Sequence, residues 1–568
     1  MKNKRNLFYI IILITIILIF IVIWFGKPYI KSALVDEYIV RSFEPVICLY
    51  DPEKRIDVPH PESIRHYSVI WKNTGVWFNK EYLMDALNKG DVLLTIETWH
   101  KSSLTSSTNN VLTETLNGTF DKKIKELGAI LSISHHQVFI RWNPDMEVPA
   151  YQYPWQFQSP QLYIKSFNYF ASHIKKDAPN VKIVWGPSGY PGDTEYWPGS
   201  RYVDVAGIAM GSISENYSVA DPIHYESASE MLRLKLHRMR FVNKPVLVLG
   251  SDKITPATFN KNWLSEVAAT MEKYKNTIYS SDNYLAVIKQ KPTRKKLLVG
   301  VYDANKKLIG EHQITTEHIF TNWGDIQNGE FNKRFNDIIL RNHIPIVTME
   351  PWRDTCITKT PPDALTSVLN GQYDNEIKKF FKIISGVKQD VYLRFAHEME
   401  IPIHRYGWQS QDPVKYINAF RYFMHFANSF NNIRKVWGPA GDRGSIDFYP
   451  GNDVVDYVSI AIYGLPDKNI TDPNKQEAFG NIFSRKIYRM RFINKPIFIT
   501  EFGVKGPEDY QTNWLKEAAG TINKNDQVFG VCYFNLYDNP KAWGKIKAPD
   551  WSISKKSFGE FCKALGLN

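Results

Sequence analysis

The sequence predicts an α/β protein made of two tandem (β/α)8 TIM barrels behind a single N-terminal transmembrane helix. Three observations carry this: an unbroken apolar run near the start, one long internal repeat, and short β-rich runs alternating with amphipathic stretches inside each copy. Length agrees, since 568 residues exceed one ordinary domain several-fold. Composition excludes other classes. Hydrophobic residues at 43% and charged residues at 23% suit folded cores and do not describe a disordered chain. A formal net charge of +12 is spread thinly and comes with no arginine-rich run, so no nucleic-acid partner is expected. Cys48, Cys356, Cys532 and Cys562 lie far apart with no C-x-x-C pair, which writes neither a disulfide scaffold nor a metal site.

The first element is Leu7 to Phe25, LFYIIILITIILIFIVIWF, 19 positions without a charge. About 20 such residues cross a hydrocarbon core, whereas a cleaved signal has a shorter apolar region of about 7 to 15 residues and a small-residue cleavage site. An uncleaved anchor is expected, with residues 26–43 as a juxtamembrane linker. Lys2, Lys4 and Arg5 precede the span, against Lys27 and Lys31 beyond it, so residues 1–6 belong in the cytoplasm and the remainder outside it.

The second element is the repeat. Val138 to Pro160 lies over Val391 to Pro413 without a gap, with ten identities in 23 positions at an offset of 253. The register recurs in TIETW at 95–99 over TMEPW at 348–352, VWGP at 184–187 over 436–439, and RMRF at 238–241 over 489–492. A period near 250 is too long for a solenoid unit of about 20 to 50 residues, so each copy is a domain: 44–288 and 297–568, joined by 289–296. Within a copy, runs such as HIPIVTM, VYLRFA, KVWGP, VVDYVSIAI and PIFIT alternate with helical patterns. No G-x-G-x-x-G or G-K-[ST] loop follows a first strand, which disfavours a doubly wound sheet.

Polar residues sit where such runs end, which in a barrel is the functional face. VYLRFA runs into His397-Glu398, and PIFIT runs into Glu501-Phe502-Gly503. Two carboxylates at two strand ends suit glycoside hydrolysis, which needs one acid to protonate the leaving oxygen and one carboxylate to attack the anomeric carbon. Arg394 and His397 stand close enough in sequence to tune the pair. Trp352, Tyr406, Trp408 and Tyr463 fall in strand-end or adjoining segments, where aromatic rings could stack on the C–H faces of sugars. Trp408, inside the polar stretch Arg405-Tyr406-Gly407-Trp408-Gln409, looks least like core.

TMEPW at 348–352, RFAHEM at 394–399, RYGW at 405–408, KVWGP at 435–439, the Tyr463 strand end and ITEFG at 499–503 together resemble glycoside hydrolase family 26. That family includes β-mannanases, mixed-linkage β-glucanases and β-1,3-xylanases. The resemblance covers roughly Leu297 to Asn568 and implies a (β/α)8 barrel, a retaining double displacement and no cofactor or metal. It gives Glu398 the acid/base role on the fourth strand and Glu501 the nucleophile role on the seventh. His397 then lines the site, Tyr463 bonds the nucleophile, and Trp352 and Trp408 bound the adjoining subsites. The chain departs from the family at Glu400, where Asn is frequent, and at Tyr533-Phe534-Asn535 on the last strand.

In the first copy the register puts Pro144-Asp145 at His397-Glu398, Gly250 at Glu501 and Gly211 at Tyr463, while Trp99 and Tyr153-Pro154-Trp155 are kept. Asp145 and Gly250 cannot form the pair, so this copy is expected to be inactive, and its role stays open between glycan binding and a spacer. Only about 26 residues follow Trp263 before Lys289, against 54 after Trp514, so a last helix is missing or borrowed. Taken whole, the sequence reads as a membrane-anchored, extracytoplasmic, endo-acting β-glycan hydrolase. A polysaccharide-binding or export-accessory protein that kept its carboxylates by descent, and a transglycosylase, are the competing readings.

Overall fold

In the computed structural model, the residues described are 46–50, 64–72, 80–99, 110–210, 227–249, 261–280, 291–352, 364–403, 405–465, 476–540, 543 and 547–567. They form two compact units, each a closed barrel of parallel strands. Among the described residues no helix is long and apolar enough to cross a membrane, and Leu7 to Phe25 lies outside them.

The second unit holds β8 (Leu298–Tyr302), β9 (Thr316–Asn322), β10 (Ile344–Glu350), β11 (Val391–Phe395), β12 (Ile433–Trp437), β13 (Tyr457–Tyr463), β14 (Ile497–Gly503) and β15 (Val528–Phe534). β15 pairs back onto β8, so no edge is left open. Side chains alternate across a strand, and the inward set is graded along the barrel axis. Ile346, Tyr392, Val436, Phe498 and Cys532 form an apolar plug. Two residues further along, the inward positions turn polar at Thr348, Arg394 and Thr500, all fully buried. The helices outside bury one stripe each, as Ile377, Phe380, Phe381 and Ile384 do on the helix Asp374–Ser385. The helix Pro413–His425 starts on a proline and is capped by Asp412, whose carboxylate accepts the Val414 N–H at 3.0 Å.

The first unit holds β1 (Val46–Tyr50), β2 (Ile64–Lys72), β3 (Val92–Trp99), β4 (Val138–Trp142), β5 (Lys182–Trp185), β6 (Val205–Ala209) and β7 (Val246–Leu249). Eight strands were expected here and the structure corrects this to seven among the described residues, because Val46 to Cys48 of β1 pair directly with Leu247 to Leu249 of β7. That pairing occupies the edge on which a counterpart of β15 would stand. Ile64, Leu93, Val184, Leu247 and Leu249 form the apolar plug of this barrel.

Local details repeat between the barrels. Asn143, Asp145 and Phe157 hold left-handed φ values of 41°, 56° and 55°, and Ala396, Glu398 and Ser410 hold 46°, 53° and 53°. Non-glycine residues rarely adopt this region, so the turn after β4 and the turn after β11 share one unusual backbone course.

Candidate active site

Four strand ends of the second barrel build the site. Arg394 on β11 lies at its centre, wholly buried. It donates from Nε to Thr348 Oγ1 at 2.8 Å, from Nη1 to Thr500 Oγ1 at 2.9 Å, and from Nη2 to Glu501 Oε1. The Thr348 hydroxyl also shares a hydrogen bond with Nε2 of His318 at 2.8 Å. Burial and then the neighbouring Arg394 charge hold that imidazole well below its usual pKa, which favours its neutral form. Room for the guanidinium comes from Gly438, where a Cβ would stand 2.3 Å from Arg394 Cδ. The glycine of VWGP is therefore required by the arginine one strand away.

Thr500 and Glu501 are consecutive, and a regular strand would send them to opposite faces. Both reach Arg394 because β14 bulges there. Its pairing with β13 steps from Ile460–Ile499 to Ala461–Glu501, and its pairing with β15 is broken between Ile499 and Phe502. A bulge inserts one residue and re-aims its neighbours. The second oxygen of Glu501, Oε2, accepts from Tyr463 Oη at 2.9 Å. Burial first, and then the charge of Glu501, lift the Tyr463 phenol well above its usual pKa, so it stays a donor. Both oxygens of Glu501 are thus held by donors, an arrangement that suits an ionised nucleophile.

Glu398 sits on the left-handed turn that follows β11, 7% exposed, with its N–H bonded to Gly438 O at 2.8 Å. The turn is clamped from below. Trp408 Nε1 donates to His397 O at 2.7 Å and Gln409 Nε2 to Glu398 O at 3.1 Å, while Gln409 Oε1 accepts the N–H groups of Arg405 and Tyr406. This changes the reading of Trp408: far from being the least core-like ring, it is fully buried, stacked on Tyr406 at 4.8 Å and packed against Trp352 at 5.1 Å. The polar residues around it in sequence are hydrogen-bonded to the turn and do not mark an exposed segment. Trp352 and Tyr406 are nearly as buried, at 4% and 8%. His397 is buried against Tyr406 and Phe320, with centroids 5.0 and 5.6 Å away.

Sequence reading missed several groups. Tyr302, Phe320 and Phe534, at the ends of β8, β9 and β15, are partly exposed rings beside the site, with Tyr302 stacked on Phe534 at 4.8 Å. Phe534 in turn approaches Tyr463 at 6.0 Å, so these rings line the mouth more openly than the tryptophans do. The missed carboxylate is Glu350, at the end of β10 within TMEPW. Burial, with the charge of Glu501 adding to it and Arg405 and Arg394 opposing, raises its pKa to about 8. It carries a proton at neutral pH. Only its place at a strand end could have flagged it, the same signal that marked Glu398 and Glu501. Glu400 has a different task, since its Oε1 accepts the N–H groups of Gly441 and Asp442 and holds the loop after β12. Asn535 likewise bonds Asp303 and the Ile553 N–H within the barrel wall. Among the described residues no cluster of three or more His, Cys, Asp or Glu side chains could hold a metal ion.

The first barrel keeps the frame of this turn. Trp155 Nε1 donates to Pro144 O at 2.6 Å and Gln156 Nε2 to Asp145 O at 3.2 Å, the bonds that Trp408 and Gln409 make. Gly186 clears space for Arg141 as Gly438 does for Arg394. The arginine, however, turns to Asp145, with Nη2 2.8 Å from Oδ1. Gly250 and Gly211 lie outside the described residues.

The chain is similar to glycoside hydrolases. It is 25% identical over 264 residues to Endoglucanase H of Acetivibrio thermocellus, covering 44% of this chain and 27% of that protein. It is 28% identical over 155 residues to Beta-1,3-xylanase TXYA of a Vibrio species, covering 26% of this chain and 29% of that protein. The chain thus spans about a third or less of the length of the curated relatives it matches. Among solved structures it resembles the Cellulomonas fimi endo-β-1,4-mannanase double mutant, at 15% identity and a TM-score of 0.32, covering 44% of this chain and 63% of that one. It also resembles a Sorangium cellulosum endo-β-1,3-glucanase, at 15% identity and a TM-score of 0.30, covering 48% of this chain and 98% of that one. No family model matches.

Proposed function

We propose that the chain is a membrane-anchored, retaining, endo-acting β-glycan hydrolase of the family 26 kind, with its chemistry in the second of two barrels that arose by tandem duplication. The carrying observation is Glu501: a strand bulge aims it at the site, Arg394 and Tyr463 hold its two oxygens, and Glu398 stands on a clamped turn after β11, three strands round the same barrel. In this reading Glu501 attacks the anomeric carbon while Glu398 gives its proton to the departing sugar oxygen. Glu398, now a base, then takes a proton from the water that releases the glycosyl-enzyme. Tyr302, Phe320, Tyr463 and Phe534 offer faces to the sugar rings, and the buried Trp352, Tyr406 and Trp408 position the Glu398 turn. Residues 44–288 are the inactive copy, 289–296 the linker and 297–568 the catalytic barrel. Leu7 to Phe25 anchors the chain with its N-terminus in the cytoplasm and both barrels outside. The substrate class is mannan, mixed-linkage glucan or β-1,3-xylan, or a related polysaccharide of the cell itself. The similarity to proteins named endoglucanase and β-1,3-xylanase supports the reading.

The test is reducing-end release by the full chain on those polysaccharides, with Glu501→Gln as control, because the amide keeps the side chain's size and one acceptor oxygen for Arg394 while its NH2 can donate to the Tyr463 hydroxyl. Release by the unmodified chain and not by the variant is expected. Silence on every polysaccharide from folded protein would move the weight to a binding or assembly role.

A further inference from the structure

We infer that the first barrel carries a glycan site of its own, built from Glu97, Trp99, Tyr151 and Tyr153, that holds an uncharged β-linked polysaccharide without cleaving it. The inference rests on the hydrolase reading of the second barrel for its choice of ligand. Its evidence lies within the first barrel.

Trp99 ends β3 and Glu97 stands two residues before it, with Trp99 Nε1 donating to Glu97 Oε2 at 3.0 Å. Tyr153 stacks on the buried Trp155 at 4.8 Å, and Trp99 meets both rings edge-on at 5.8 and 5.9 Å. The trio matches Trp352, Tyr406 and Trp408 in geometry and differs in access. Trp99 and Tyr153 are partly exposed where Trp352 and Tyr406 are buried. Tyr151 adds a ring that is 61% exposed, set by a left-handed backbone at φ 54° and resting on Phe157. Left-handed non-glycine residues carry a conformational cost and persist where the surroundings impose them. Here Asn143, Asp145, Tyr151 and Phe157 all hold this conformation around the turn after β4.

What remains is a binding surface. Partly open rings stack on the C–H faces of flat sugars, and the carboxyl group of Glu97 can bond a hydroxyl at the edge of the same stack. Burial chiefly, with the Asp145 charge adding, raises the pKa of Glu97. An anionic sugar does not fit, because Glu97 and Asp145 are both acidic and Arg141, the cation among them, is already engaged by Asp145. A chain that engages one polymer at two sites gains effective concentration, so a non-cleaving site would keep the cleaving one on its substrate.

The test is affinity electrophoresis of the full chain, carrying Glu501→Gln so that the gel polysaccharide survives, through β-mannan, mixed-linkage β-glucan, β-1,3-xylan and polygalacturonate. Adding Trp99→Ala should weaken retardation about ten-fold on a neutral glycan, the loss of one stacking ring. Tyr151→Ala should weaken it several-fold, and its exposed ring makes unfolding no explanation. Unchanged retardation in both variants overturns the inference, as does retention on polygalacturonate alone. Reducing-end release by the unmodified chain is measured alongside. Release with no effect of either variant removes the first-barrel site only, whereas absence of both release and retardation removes the hydrolase reading with it.

Discussion

Replacing Glu501 by alanine should lower stability as well as abolish the proposed hydrolysis. Arg394 is fully buried, and Glu501 is its charge partner at 7% side-chain exposure. Deleting one member of a buried pair leaves the other charge uncompensated, at a cost of about 3 to 5 kcal/mol. Arg394 keeps its bonds to Thr348 and Thr500, so the lower end of about 3 kcal/mol is expected, a fall in melting temperature on the order of 10 °C. The first barrel shows how the charge can be met otherwise: Arg141 pairs with Asp145, four residues on, at 2.8 Å. Asp145 and Glu398 share a left-handed φ of 56° and 53° and bond their N–H groups to Gly186 and Gly438 respectively. Adding Glu398→Asp to Glu501→Ala should therefore return about 1.5 kcal/mol, the lower value for a hydrogen bond to a charged group, while restoring no hydrolysis. Urea unfolding of the full chain, followed by tryptophan fluorescence, reads both changes. A single variant that loses less than about 1 kcal/mol, or a double variant no more stable than the single, would refute the reasoning.

Three further outcomes follow from the same geometry. Tyr463→Phe removes the 2.9 Å bond to Glu501 Oε2 and should lower kcat/KM by about 10- to 100-fold with little loss of stability, read by steady-state kinetics; unchanged kinetics would remove Tyr463 from the site. Gly438→Ala puts a methyl group 2.3 Å from Arg394 Cδ and should lower activity and melting temperature together, whereas a stability loss with full activity would show that Arg394 does not position Glu501. Glu350 has a folded pKa of about 8, above the value of roughly 4.3 expected unfolded, so its contribution to stability is greatest below that lower value and is lost as pH rises to about 8. Glu350→Gln should accordingly be more stable than the unmodified chain at pH 8 and no more stable at pH 4, and parallel pH profiles of denaturation would contradict this.

The barrels and their two carboxylates were legible because alternation, strand-end position and the 253-residue register are local or pairwise properties of sequence. Glu398 and Glu501 needed only to end β-rich runs, and Tyr463 only to end another. Partnerships across the barrel could not be read in this way. The sequence shows Arg394 near Glu398, yet the guanidinium binds Glu501, 107 residues away, because a bulge at Thr500 and a missing Cβ at Gly438 let it cross. Trp408 looked open because its neighbours are polar, but those neighbours bond the turn that carries Glu398. Glu350 resembles any strand-end glutamate until burial and a nearby carboxylate hold its proton. That Asp145 stands where the second copy has Glu398 is written in the sequence, whereas the direct pairing of β1 with β7 is not. Residue type and spacing state which chemistry is available; burial, register and the path of one arginine decide which groups are placed to perform it.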